Sequence, residues 1–168
     1  MIQFYKPTPK NTGSACSFFL KDGAVMFSIL KQSTWDPVKK IGSFKKSKED
    51  PNAVVFGKFN MVESCKLISC IDNNQKFETV HATSQKISIA LEPYFKFDPA
   101  TAKVTEEQLG YSFRIIKSVE GQKGNSFRIG LNFAEAYYLK YFLISCVNKS
   151  FEKLPPVGKE DQEVKNIE

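Results

Sequence analysis

Two stretches of this chain carry the same local pattern, and that pattern restricts the fold more than any other feature. Asn60 and Asn132 each precede an apolar helical segment, and a glutamate lies three residues after each asparagine. This is the spacing of reciprocal side-chain caps at a helix N-terminus. Both segments also contain the tripeptide Ile-Ser-Cys. The chain is therefore interpreted as two units, each a set of strands closed by one helix.

Apolar periodicity places the first helix over residues 61–72 and the second over residues 133–148. The predicted apolar face of the first helix consists of Met61, Val62, Cys65, Leu67 and Ile68. The second helix is apolar on most sides, which is typical of a helix buried on more than one face. We expect it to pack against a sheet and against a partner subunit.

Alternating apolar residues predict antiparallel strands with one solvated face. The predicted strands are 14–20, 24–32, 41–44, 53–56, 77–82, 86–92, 110–117 and 126–131. Asp22-Gly23 is a hairpin turn signal between the first two strands. Residues 93–109 are expected to be a long irregular connection with a short turn near 105–109. The resulting fold class is α+β, with two strand-set-plus-helix units.

One α+β domain is expected over residues 14–152, made of two pseudo-repeats at about 14–74 and 75–152. Residues 1–13 are interpreted as an extended N-terminal arm, because Pro7 and Pro9 do not fit a helix or a central strand. Residues 153–168 are polar, contain Pro-Pro and lack apolar periodicity. A disordered C-terminal tail is expected there.

Charge points to the class of partner. The 168 residues carry a net charge of +6 and a pI near 9.1, which favours nucleic acid or an anionic membrane surface as a partner. A merely soluble basic surface is the alternative. No apolar run is long enough for a transmembrane helix, and no secretory signal begins the chain, so no membrane partner is expected. The expected location is cytoplasmic or nucleoid-associated.

Catalytic and metal-binding signatures are not found in the sequence. The four cysteines form no Cys-x-x-Cys pair and His81 is the single histidine, so we expect neither a zinc site nor another cofactor. All four cysteines are interpreted as buried small apolar residues, and His81 as a strand residue. Residues 121–125 join two strands, whereas a phosphate-binding loop joins a strand to a helix. We therefore expect a protein that is not an enzyme. Nucleophilic catalysis by Cys16 or Cys65 is an open alternative.

Basic residues with interleaved aromatics form the strongest functional pattern, because single strands offer phosphates to neutralise and unstacked bases to stack. Arg114 and Arg128 are predicted on neighbouring strands, facing away from the core. The full predicted nucleic-acid-binding set is Lys6, Lys10, Lys31, Trp35, Lys39, Lys40, Phe44, Lys45, Lys46, Lys86, Arg114, Lys117 and Arg128. The alternative is a solvated lysine loop, with Trp35 and Phe44 packed into the core.

Three stretches carry a resemblance to a known fold: residues 10–15 before the first hairpin, 58–63 at the first helix, and 126–135 at the second. Over about residues 10–150, the order of elements resembles the Whirly-like fold. Its members include plant Whirly proteins, kinetoplastid guide-RNA-binding proteins, Pur proteins and the positive transcription cofactor of eukaryotes. The resemblance implies nucleic-acid binding and assembly through helices. No site residue is carried over from it.

The sequence thus predicts a single-stranded nucleic-acid-binding protein, with DNA favoured over RNA, weak sequence preference and a homo-oligomeric state of two or more chains. The alternative is a protein-interaction or scaffold module of a virus or mobile element that dimerises through its second helix. The two hypotheses differ in the surface they require. Binding to nucleic acid needs the basic residues on a shared face, whereas a scaffold module does not.

Overall fold

The computed structural model describes residues 1–45, 47, 49–82, 86–118 and 124–152, which form ten strands and two helices. The strands are β1 (Ile2–Lys6), β2 (Ser14–Lys21), β3 (Ala24–Lys31), β4 (Thr34–Asp36), β5 (Ile41–Ser43), β6 (Val54–Phe59), β7 (Phe77–Ala82), β8 (Lys86–Asp98), β9 (Lys103–Ser118) and β10 (Asn125–Asn132). The helices are α1 (Met61–Asp72) and α2 (Phe133–Glu152).

Two four-stranded antiparallel sheets form the body of the protein. The first, in the order β1-β2-β3-β6, is followed in the chain by α1, and the second, in the order β7-β8-β9-β10, is followed by α2. The short hairpin β4–β5 is inserted between β3 and β6. The predicted α+β class, with two units of strands closed by a helix, is confirmed.

Both helices begin at the predicted caps. The Asn60 side chain accepts a hydrogen bond from the Glu63 backbone N–H at 2.8 Å, and the Glu63 carboxylate accepts one from the Asn60 N–H at 3.0 Å. Asn132 and Glu135 form the same reciprocal pair, with both distances at 2.9 Å. These bonds satisfy backbone donors that a helix N-terminus leaves without partners, so each asparagine stops its strand and starts its helix.

The core lies between the inner faces of the two sheets and includes the buried faces of both helices. Phe113 of β9 is surrounded by rings from the first sheet, with ring centroids 5.5 Å from Phe18, 5.6 Å from Phe27 and 6.3 Å from Phe59. The Tyr111 hydroxyl donates to the Ile71 carbonyl at 2.9 Å, which fastens β9 to the end of α1. The two units therefore share one core.

The expectation of an irregular connection at residues 93–109 is wrong. These residues extend β8 to Asp98 and start β9 at Lys103, so they form a two-stranded ribbon that continues beyond the paired parts of β7 and β10. Register shifts at Tyr94/Phe95 and Phe95/Phe97 interrupt the pairing. These irregularities hid the alternation in the sequence, because a bulge moves the following side chains to the other face.

The predicted buried face of α1 is also wrong in part. Val62 and Cys65 are exposed, whereas Ser64, Leu67, Cys70 and Ile71 are buried. The exposure of Cys65 likewise overturns the expectation that all four cysteines are buried, although the other three are. The helix turns this face inward because it packs against α2.

The N-terminal segment, expected to be an extended arm, contributes a strand to the first sheet. β1 pairs with β2 and buries Ile2 and Phe4, while Pro7 follows the last paired residue. An edge position explains how a strand next to two prolines joins the sheet.

Helix α2 buries one face, made of Ala136, Leu139, Leu143 and Cys146. Its remaining surface exposes large apolar side chains. These are Phe133, Tyr137, Tyr138, Tyr141 and Phe151. Within this chain, the predicted burial of a second face of α2 is therefore not found. Within the part of the chain that the structure describes, no helix has the length and apolar content needed to cross a membrane.

Gly110 sits where the ribbon joins the second sheet, and its φ of +144° lies in a region that L side chains rarely adopt. A Cβ there would lie 2.1 Å from the Leu131 carbonyl oxygen. We expect Gly110→Ala to lower the free energy of unfolding by about 3 kcal/mol, from backbone strain and overpacking together. Urea unfolding followed by circular dichroism measures the change.

The matched control is Gly130→Ala on the neighbouring strand, where, apart from the adjacent residues, no atom of the described part of the chain lies within 4 Å of the added Cβ. We expect this variant to remain within about 1 kcal/mol of the wild type. Equal losses of stability in the two variants would contradict the steric explanation.

Candidate nucleic-acid interface

Arg114 and Arg128 lie side by side on the outer face of the second sheet, where they are direct cross-strand partners. The Arg128 Nε donates to the Ser112 hydroxyl at 2.7 Å, and its guanidinium carbon lies 5.0 Å from the centre of the Tyr94 ring. The Nη2 atom of Arg114 lies 3.8 Å from a carboxylate oxygen of Glu92. The alternation that buries Phe113 thus presents two guanidinium groups and an aromatic ring on one surface.

A cavity of about 370 Å³ continues this surface to the junction of the two sheets. It is lined by Asn11, Thr12, Gly13, Ser14, Lys31, Ser126, Phe127 and Arg128. The Ser14 hydroxyl donates to the Arg128 carbonyl at 2.7 Å and joins the sheets at this point. The Lys31 ammonium lies 4.7 Å from the centre of the Phe127 ring and donates to the Asn125 side chain. Lys31 and Arg128 thus line one cavity beside the pair of Arg114 and Arg128, and these residues, with exposed Lys10 of the adjoining loop, are called the basic surface.

The outer face of the first sheet carries a groove with exposed aromatics. Its cavity of about 290 Å³ is lined by Gln3, Tyr5, Ala15, Ser17, Ser28, Leu30, Phe44 and Phe56. Tyr5 and Phe44 pack edge to face, with ring centroids 6.0 Å apart, and Phe56 is 62% exposed. Phe56 is not among the residues predicted from the sequence to bind nucleic acid. Its alternation with buried Val55 was the available signal, because neighbouring residues of a strand face opposite sides.

Another part of the predicted site lies in the hairpin β4–β5. This hairpin is distant in sequence from Arg114 and Arg128 and belongs to a different sheet. Trp35 is half-buried opposite Gly42, while Lys39, Lys40 and Lys45 are exposed. Predicted Lys46 lies outside the described residues. A short hairpin that pairs with neither large sheet is a solvent-facing basic element.

Two predicted lysines are held by other contacts. Lys6 forms an ion pair with Glu135 at the start of α2. The Lys117 ammonium donates to the Pro51 carbonyl at 3.4 Å, and its place in β9 directs it to the face opposite Arg114. Lys86 is exposed at the start of β8. The structure therefore does not bring Lys6 and Lys117 to the basic surface.

His81 lies in β7 with its Nε2 2.7 Å from a Glu63 carboxylate oxygen, to which the Thr79 hydroxyl donates at 2.9 Å. Burial alone would raise the pKa of the Glu63 carboxyl. Hydrogen bonds with His81, the Asn60 N–H and Thr79 outweigh this effect, so its pKa lies below the usual value. The contacts make His81 part of the support of the α1 cap, in keeping with its interpretation as a strand residue.

Cysteine environments bear on the alternative of thiol chemistry. Burial raises the pKa of Cys16, and it raises the pKa of Cys70 to about 11. A raised pKa disfavours the thiolate, which is the nucleophilic form. Cys65 is exposed on α1. Within the described residues, no group of three or more His, Cys, Asp or Glu side chains is arranged to hold a metal ion.

The arrangement of strands and helices matches solved structures. The plant transcriptional regulator PBF-2 aligns with a TM-score of 0.60 at 12% identity, over 90% of this chain and 81% of that one. The fold is Whirly-like. Trypanosoma brucei MRP1/MRP2 aligns with a TM-score of 0.57 at 14% identity, over 89% of this chain and 92% of that one. Neither a protein-family model nor a curated protein matches the sequence. At sequence identities this low, the similarity to these two solved structures shows the fold alone.

Proposed function

We propose that this protein binds single-stranded nucleic acid, DNA in preference to RNA, and that it is not an enzyme. The observation that carries the proposal is the basic surface, in which Arg114 and Arg128 are cross-strand partners, while Arg128 also lies against Tyr94 and shares a cavity with Lys31 at the sheet junction. Guanidinium and ammonium groups would neutralise phosphates, while exposed rings would stack bases.

The shape of the outer sheet faces favours binding of single-stranded over double-stranded nucleic acid. The outer faces of both sheets are shallow grooves with small residues at the centre, such as Ala15 and Ser17 on one and Ser88 and Ala90 on the other. Unstacked bases fit such depressions, whereas bases inside a duplex present only their edges. The Whirly-like fold and the function that PBF-2 bears in its name, transcriptional regulation, agree with nucleic-acid binding.

Fluorescence anisotropy with a labelled DNA strand of about 30 nucleotides tests the proposal across a salt series. We expect tight binding to the single strand, weaker binding to the matching duplex, and log K falling with log salt at about 0.7 per neutralised phosphate. Affinity that does not change with salt would contradict phosphate-dominated binding.

Exposed aromatics on α2 favour self-association as a second property. Tyr137 and Tyr141 flank Lys140, whose ammonium lies 5.6 Å from the centre of each ring and pairs with Asp72. Contiguous exposed apolar patches are typical of protein interfaces. We propose that this face joins copies of the chain into a dimer or higher oligomer. It would also serve the alternative function of a protein-interaction module.

Sedimentation velocity separates these possibilities when the wild type is compared with a Tyr137→Ser, Tyr141→Ser double variant. Self-association predicts an oligomer that the double variant converts to monomer. A wild type that is monomeric at all concentrations would contradict it and leave the face to another protein.

A further inference from the structure

A shallow pocket in the outer face of the second sheet, called the dent below, is formed by two rows of cross-strand neighbours. Glu78, Ala90 and Arg114 form one row, and Val80, Ser88 and Ile116 form the next. In both rows the residue of central strand β8 is small and its neighbours are large. The result is a cavity of about 220 Å³, with a floor on β8 and walls on β7 and β9.

Arg114 reaches this dent with unused hydrogen-bonding capacity. Its Nε is buried and has no hydrogen-bond partner among the residues that the structure describes. The nearest carboxylate oxygen, from Glu92, lies 3.8 Å from Nη2, which is too far for a hydrogen bond. Buried donors are normally satisfied, so a ligand or a water molecule is expected to meet this group.

The charges around the dent argue against a phosphate as that ligand. Lys76 lies 2.7 Å from Glu78 and 3.7 Å from Glu92, so Arg114 meets two carboxylates and one ammonium group on the side of the dent, whereas Arg128 lies on its other side, on β10. A phosphate beside Arg114 would also face the carboxylates. A neutral group fits better if it offers acceptors to Arg114 and donors to Glu78.

Guanine has this arrangement. Its O6 and N7 acceptors are adjacent and match an arginine fork. Its N1–H and N2–H₂ donors are adjacent on the next edge and match a carboxylate. Adenine, cytosine and thymine each mix donors and acceptors along the corresponding edges. Glu78 and Arg114 lie on strands two positions apart, roughly 10 Å, which leaves room for a flat base over Ala90.

Resting on the proposed function, we propose that this dent is a guanine subsite, in which Arg114 donates to O6 and N7 and Glu78 accepts from N1–H and N2–H₂. Ile116 and Val80 would supply apolar contact to the base. Most of a bound strand would still be held without regard to sequence. One position would select guanine.

The test compares a thymidine 15-mer with the same strand carrying one central substitution: guanine, adenine, cytosine, inosine or 7-deazaguanine. We expect guanine to tighten binding roughly tenfold over thymine. Inosine lacks the 2-amino group and 7-deazaguanine lacks N7, so each should lose most of that gain. Adenine and cytosine should bind like thymine.

Variants assign the preference to the dent. Arg114→Lys and Glu78→Gln should each reduce the guanine-to-thymine affinity ratio towards one. Arg128→Ala should weaken binding to every strand and leave the ratio unchanged. Thermal melts confirm that each variant is folded.

Three outcomes would overturn the subsite. Strong binding of all strands with equal affinity would do so while the proposed function stands, and so would a guanine preference that survives both Arg114→Lys and Glu78→Gln. Failure of every strand to bind at low salt would overturn the proposed function together with the subsite.

Discussion

Replacing both Arg114 and Arg128 by alanine is expected to weaken binding of a single strand by roughly 30-fold or more, since each arginine contact contributes about 1–3 kcal/mol. The two side chains are cross-strand neighbours on one face, so their removal leaves a gap at the centre of the basic surface. The slope of log K against log salt should also become shallower, by about 0.7 for the phosphate that Arg128 no longer neutralises. Anisotropy at several salt concentrations measures both quantities.

The matched control removes the same charge from the helices. Lys66 of α1 and Lys149 of α2 are exposed. The double variant Lys66→Ala, Lys149→Ala lowers the net charge by the same amount as the arginine variant. We expect it to bind within about twofold of the wild type, because scattered charges act weakly through screened solvent. Equal reductions in affinity for the two double variants would mean that net charge, and not the basic surface, drives binding.

The largest expected effect on stability is that of Phe113→Ala. Phe113 is 1% exposed and packs against Phe18, Phe27 and Phe59, so it contributes most of the ring contacts between the second sheet and the aromatic cluster of the first. Truncation of a buried phenylalanine costs about 3–5 kcal/mol, because apolar burial is reduced and a cavity forms. Domains of this kind have total stabilities of about 5–15 kcal/mol, so the variant should be close to unfolding at physiological temperature.

Urea unfolding followed by circular dichroism and by Trp35 fluorescence measures this effect. Phe56→Ala is the control, because the same ring is removed from an exposed position. We expect it to cost less than about 1 kcal/mol. If Phe113→Ala instead gave two separate transitions, or a destabilisation as small as that of Phe56→Ala, the two sheets would be independent units and the shared core would not be what holds them together.

The features that could be predicted from the sequence are those that neighbouring residues settle among themselves. The caps at Asn60 and Asn132 depend on a glutamate three residues away, and both form as predicted. Asp22 and Gly23 both take positive φ in the turn between β2 and β3. Strict alternation placed Phe113 inside and Arg114 outside, because successive strand residues face opposite sides.

Other features could not be predicted from the sequence, because they depend on how helices and strands pack against one another. The apolar residues of α1 allow more than one buried face, and packing against α2 selected the one with Leu67 and Ile71, leaving Val62 exposed. The ribbon beyond Tyr94 depends on bulges, which break the alternation that marks a strand. In both places the free energy comes from contacts between segments far apart in the chain, so local patterns carry little trace of it.

Some residues of the basic surface could be predicted from the sequence, whereas others are placed there by the tertiary structure. Sequence alternation identified Arg114 and Arg128 as outward residues of neighbouring strands, because strand geometry is local. That Lys31 lines a cavity with Arg128 follows from the contact of β10 with β2 and β3, and the ion pair of Lys6 with Glu135 follows from the position of α2. Charge and periodicity thus predicted the kind of fold, which the structure confirms, and pointed to the kind of partner. The packing of the two sheets decided which cations share a face, since long side chains take the partners that the tertiary structure brings within reach.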